Sequence, residues 1–178
     1  GWSMKPEKVD AYRTEVLRLR EAYAGKLDIF LGLEQDMESP PPQGDWDYLI
    51  GSVHGVWADG CYLPADESED SFDRSVREHF GGDCLGFIRA YYRLAAEAAR
   101  KTNCDIIGHF DLITKFNENG CHFDENSPQY RAAALEALEA LMERDVIFEI
   151  NTGAMSRGYR AAPFPAAFLL EAMRQKGG

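Results

Sequence analysis

The chain has 178 residues, a formal net charge of −11, 45% hydrophobic residues and 28% charged residues. That is long enough for one domain with a real core, and the composition is that of a folded chain rather than a disordered one. The negative charge argues against nucleic-acid and anionic-membrane partners, and no apolar run approaches the ~20 residues of a bilayer span.

From Val9 to Tyr23 apolar residues recur at three- and four-residue steps (Val9, Tyr12, Val16, Leu19, Tyr23), which predicts an amphipathic helix ended by Gly25. Leu27–Leu33 reads as a first strand, covered on both faces. After a proline-rich loop, Asp47–Val53 reads as a second strand, and Gly55–Asp73 as a long polar connection. A short helix is expected over Phe72–Phe80. Asp83 then looks like the cap of a helix over Cys84–Lys101 that buries Leu85, Ile88, Tyr92, Ala95 and Ala99.

Cys104–Phe110 is the third expected strand, Asp111–Ser127 a polar loop, and Pro128–Arg144 a helix. Val146–Asn151 is the fourth strand, followed by a loop with Arg157 and Arg160 and a last helix over Ala166–Gln175. Alternating strands and helices imply an α/β fold with parallel strands, and four strands make an arc rather than a closed barrel. The four cysteines (Cys61, Cys84, Cys104, Cys121) show no Cys-x-x-Cys spacing. With no visible signal peptide, they read as reduced thiols of a cytoplasmic protein.

Three apolar runs finish in Glu34, His54 and His109. In β/α architectures functional groups lie at the C-terminal ends of strands, so these side chains would gather at one end of the sheet. A single such histidine reads most simply as structural. Two with a glutamate favour a metal site, and imidazole and carboxylate suit zinc, iron or manganese. Asp36 and Asp111 each follow a candidate ligand by two residues and are expected to support it from behind rather than to ligate. Asn151 falls at the fourth strand end. His79, His122 and Asp59 read as surface residues. Arg157 and Arg160 fit a phosphate group or pair with surface acids; beside a metal site, phosphate is favoured for at least one of them.

The segments Gly-Leu-Glu at 32–34, Gly-Ser-Val-His at 51–54, Ile-Gly-His-Phe-Asp at 107–111, Glu-Ile-Asn-Thr at 149–152 and Arg-Gly-Tyr-Arg-Ala-Ala-Pro-Phe-Pro at 157–165 occur in this order. Together they resemble the histidinol-phosphatase branch of the PHP (polymerase and histidinol phosphatase) metallo-phosphoesterases, over nearly the whole chain. The resemblance implies a distorted seven-stranded β/α barrel, a cluster of divalent metals, and hydrolysis of L-histidinol phosphate to L-histidinol and phosphate in histidine biosynthesis. It implies metal ligation by Glu34, His54 and His109, phosphate binding by Arg157 and Arg160, and attack on phosphorus by a metal-activated hydroxide. It names no general acid.

The family's N-terminal His-x-His and C-terminal Asp-x-His patterns do not occur here. Residues 1–178 are thus expected to be one PHP-type domain, the central part of a larger barrel, and an incomplete chain whose activity would depend on the ligands it lacks. Its open strand edges lead to an expectation of self-association. A PHP phosphoesterase for another small phosphomonoester, or a non-catalytic remnant of the fold, are the alternatives.

Overall fold

A computed structural model describes residues 3–177. Four strands, β1 (Gly32–Asp36), β2 (Tyr48–Ser52), β5 (Ile106–Ile107) and β6 (Ile147–Phe148), form one parallel sheet in the order β1-β2-β5-β6. The pairing is in register across the sheet: Glu34 lies opposite Ile50, Ile50 opposite Ile106, and Ile106 opposite Ile147. This is the expected α/β arc of four parallel strands. β1 and β6 are its edges, and Phe30, Ile147 and Ile150 beside them are exposed.

The first strand starts later than the apolar run suggests. Leu27 and Phe30 are exposed rather than covered on both faces. Residues 27–31 run as irregular chain, held by Arg20, which donates to the Ile29 carbonyl at 2.8 Å, and by Asp47, whose backbone N–H donates to the Leu31 carbonyl at 2.8 Å. The ladder begins only at Gly32, opposite Tyr48. The preceding helix α1 (Val9–Ala22) keeps its apolar stripe only half-buried, and none of its residues is fully buried.

The connection expected to be polar and irregular over Gly55–Asp73 instead carries an antiparallel hairpin, β3 (Gly55–Ala58) and β4 (Cys61–Pro64), and the start of α2 (Glu69–His79). Asp59 and Gly60, both at positive φ, make its two-residue turn. Ser68 and Ser71 form a reciprocal capping box that starts α2 three residues earlier than expected.

Helix α3 (Cys84–Thr102) begins at Asp83, whose carboxylate accepts from the Gly86 N–H at 2.9 Å, and ends at Asn103 in the left-handed region. It buries Phe87, Ile88, Tyr91, Tyr92, Ala95, Ala98 and Ala99. The Leu85 of the expected set is half-buried. α4 (Pro128–Met142) packs on α3, the short α5 (Gly153–Ser156) follows β6, and α6 (Ala167–Gln175) packs on α4. Between β5 and α4, residues 111–127 are not a solvated loop. Asp111, Leu112, Ile113, Thr114, Asn117 and Phe123 are all buried there. Asn117 stands in for missing backbone partners, accepting from the His122 and Phe123 N–H groups and donating to the Phe123 carbonyl.

One buried hydroxyl links the core to the strand ends. Tyr91, on α3, donates a shared bond to the Val53 carbonyl at 3.3 Å and the Phe110 carbonyl at 3.2 Å. These are the neighbours of His54 and His109.

Candidate metal centre

Glu34 lies on β1, while His54 follows β2 after Val53 and His109 follows β5 after Gly108. Because the three strands are adjacent and parallel, their C-terminal ends coincide, and the three side chains converge. One donor atom from each falls within 4.8 Å of the other two. Glu34 Oε1 lies 3.1 Å from His109 Nε2 and 3.5 Å from His54 Nε2. The two rings meet edge to face, with centroids 4.9 Å apart. Both imidazoles are largely shielded, whereas about half of the Glu34 side chain faces solvent (47%), so the group is open on one side.

His54 is oriented from behind. Its Nδ1 lies 2.9 Å from Asp36 Oδ2, which makes Nδ1 the donor and turns Nε2 toward Glu34. Two imidazoles and a carboxylate are a donor set for zinc, iron or manganese. The geometry therefore fits a divalent metal ion.

The charges agree. The hydrogen bond with His109 holds the Glu34 carboxyl down, at about 2, against the opposing effect of burial. For Asp36, burial raises the carboxyl but is outweighed by the bonds from His54 and the Glu38 N–H, and the net shift is downward. Burial pushes the His54 ring down, yet Asp36, Asp66 and Glu34 together draw it up.

His109 has a strained backbone, with φ +23°, in a region that L residues rarely occupy. Its N–H donates to Glu149 Oε2 at 2.9 Å, and the same oxygen accepts from Asn151 Nδ2 at 3.1 Å. Glu149 is a side chain beside the group that patterning missed. It lies in the fourth expected strand, and only the chain path brings it beneath His109. Asn151 is thus drawn into the site region through Glu149.

Asp111 sits elsewhere than expected. Rather than bonding His109, its Oδ2 accepts from the Ala166 N–H at 2.8 Å, at the start of α6. It is fully buried, and the two-residue spacing fails because the chain turns at His109 instead of continuing extended. Arg160 is likewise committed. It donates to Glu125 Oε1 at 2.8 Å and Oε2 at 3.1 Å and to the Thr114 carbonyl at 3.0 Å, so the acid-pairing reading holds for it. Arg157 is exposed and makes no ion pair among the described residues. Its guanidinium lies over Gly153, where an added Cβ would be 3.4 Å from Nη1 and 2.9 Å from Asn151 Oδ1.

The hairpin forms a wall beside the group. Tyr62 crosses Gly55, the residue after His54, so closely that a Cβ there would meet its ring at 2.7 Å. Trp57 packs edge to face on Tyr62 and donates from Nε1 to Glu38 at 2.8 Å. His79 faces Asp59 at 3.4 Å, away from the three ligand candidates.

A parallel strand arc with acid and imidazole groups at its C-terminal ends defines an α/β domain with a candidate metal centre. The model of one family, the PHP domain, matches residues 7–153, and the chain belongs to it. This is the family whose histidinol-phosphatase branch the motifs resemble. The chain is 34% identical over 184 residues to a protein of Deinococcus radiodurans named "Probable histidinol-phosphatase", covering 99% of this chain and 64% of that protein. A protein of Schizosaccharomyces pombe with the same name is 28% identical over 178 residues, covering 94% of this chain and 56% of its own length. The chain thus spans about six-tenths of the length of these relatives. The crystal structure of hisK, a candidate histidinol phosphatase from Listeria monocytogenes, superposes with a TM-score of 0.76 at 17% identity, over 97% of this chain and 69% of that one. That likeness concerns the fold.

Proposed function

We propose that this chain carries part of the site of a divalent-metal phosphatase that hydrolyses L-histidinol phosphate. In this reading Glu34, His54 and His109 bind metal, Asp36 orients His54, and Glu149 fixes His109. Arg157, the uncommitted arginine of its loop, meets the phosphate oxygens. Metal ions at this position would supply Lewis acidity toward the phosphoryl group and a nucleophile at neutral pH. The residues of the chain hold the ligands in place and contribute positive charge where negative charge develops.

The single observation that carries the reading is the convergence of Glu34, His54 and His109 at the ends of three neighbouring parallel strands. The two curated relatives' names supply the substrate. The open edges β1 and β6, with Phe30 and Ile147 exposed beside them, favour association with a further copy of the chain.

The test is turnover by protein expressed from the whole gene and loaded with zinc, iron or manganese. L-histidinol phosphate should release L-histidinol and phosphate faster than a panel of nucleotide and sugar monophosphates. Release only from another monoester would overturn the substrate. A protein that holds no metal, and is indifferent to Glu34→Ala, would overturn the phosphatase reading in favour of a non-catalytic fold.

A further inference from the structure

A second group of metal-type donors lies outside the strand ends. Glu69 in the first turn of α2, Cys121 and His122 each present one donor atom, all within 4.8 Å of one another. His122 is not the surface residue that its loop position suggests. Its side chain is only 12% exposed, and its ring packs on Phe72 at 5.0 Å between centroids. The loop bearing it is fixed, because the His122 and Phe123 N–H groups both donate to the buried Asn117.

The tautomer follows from the neighbours. His122 Nδ1 lies 3.0 Å from Asp73 Oδ1, so Nδ1 is the donor and Nε2 carries a lone pair. Nε2 is shut off from solvent and has no hydrogen-bond partner among the described residues, and Glu69 Oε1 stands 3.3 Å away. The ring thus stands between two carboxylates, as the His54 ring stands between Glu34 and Asp36. The arrangement carboxylate, imidazole, carboxylate thus occurs twice in the chain, and here it has a thiol beside it. Glu69 and Asp73 are four residues apart on α2, one helical turn, so a single helix face supplies both the ligand and the orienting acid.

We propose that Glu69, Cys121 and His122 bind a second divalent transition-metal ion, with Asp73 as the group that positions His122. One thiolate, one imidazole and one carboxylate, with a fourth position left for water, is a donor set that favours zinc over calcium or magnesium. Binding there releases the thiol proton and ties the 111–127 segment to α2. The inference is independent of the substrate assigned to the strand-end site.

Cobalt(II) titrated into metal-stripped protein tests it. Cys121 supplies the thiol of this group, and the strand-end group contains none, so a sulfur-to-cobalt charge-transfer band in the near ultraviolet reports this site alone. The band should appear and saturate, vanish in Cys121→Ser and in Glu69→Gln, be displaced by zinc, and persist in Glu34→Gln. Cys121 is exposed, so its serine variant should fold, which circular dichroism checks. Failure of cobalt to produce the band, or a band that survives Cys121→Ser, would overturn the proposal. In the first case His122 is simply an imidazolium between two carboxylates.

Discussion

Glu149 Oε2 accepts the backbone N–H of His109 at 2.9 Å, where the His109 backbone stands at φ +23°. A side chain just past the last strand of the sheet thereby holds a strained turn at the end of the neighbouring strand. The bond supports a conformation that costs on the order of 1–3 kcal/mol by itself. Glu149→Ala is expected to lower stability by roughly 1–3 kcal/mol, because a part-buried N–H loses its acceptor. It should also weaken metal binding about 10- to 100-fold, while Glu149→Gln, which keeps an oxygen, retains most of both. Urea unfolding and metal titration read the two effects. An alanine variant with an unchanged midpoint and affinity would show that the turn holds itself.

Asp36 acts on the site through His54, whose Nδ1 lies 2.9 Å from its Oδ2. Asp36→Ala frees that ring to rotate and to exchange tautomers. Metal affinity should fall about 10- to 100-fold, with little change in the far-ultraviolet spectrum. Calorimetric titration would expose the opposite result, an unaltered affinity.

The two arginines of one loop should separate cleanly. Arg160 is shielded and bonded to Glu125 and to the Thr114 carbonyl. Arg160→Ala leaves that carboxylate unpaired and is expected to cost on the order of 3 kcal/mol of stability. Arg157→Ala should leave the melting temperature unchanged and raise KM for the phosphate ester about tenfold, the weight of one charge-assisted contact. Paired thermal melts and steady-state kinetics distinguish them, and a reversal of the two phenotypes would reassign the phosphate contact to Arg160.

Asp111 should make stability depend on pH in the opposite sense to most carboxylates. Burial pushes its carboxyl up to about 7, from 3.8. Between those values the folded chain binds a proton that the unfolded chain has released. The contribution of this group is therefore full below about pH 4 and is lost as pH rises toward 7. Asp111→Asn removes the loss, so the melting temperature of the variant relative to the parent should climb from about pH 4 to pH 7 and level off above it. A difference that stays flat across that range would mean the buried carboxyl does not titrate there.

Much of the fold was legible because its signals are local. Asp83 before Cys84 and Pro128 after Ser127 mark helix starts, and the spacing of Ile88, Tyr92, Ala95 and Ala99 marks a buried stripe. Strand limits were less legible. Leu27–Leu33 is as apolar as a buried strand, yet the ladder starts where Tyr48 can pair, and pairing is not local. The hairpin escaped because its turn, Asp59-Gly60, lies among acids that read as solvated surface.

By itself the sequence determined the alternation of strands and helices, and with it a parallel sheet. It also determined that Glu34, His54 and His109 stand at equivalent strand ends, since a parallel sheet brings such ends together whatever the loops do. Only the tertiary structure decided what stands behind those three. Asp36 turned to His54 rather than to the Glu34 it follows by two residues, and the turn at His109 swung Asp111 away to the start of α6 while Glu149, 40 residues later and just past β6, came beneath His109. Periodicity reports which face a residue occupies. Which distant group fills the remaining hydrogen-bond positions depends on where the chain returns, and only the assembled packing fixes that.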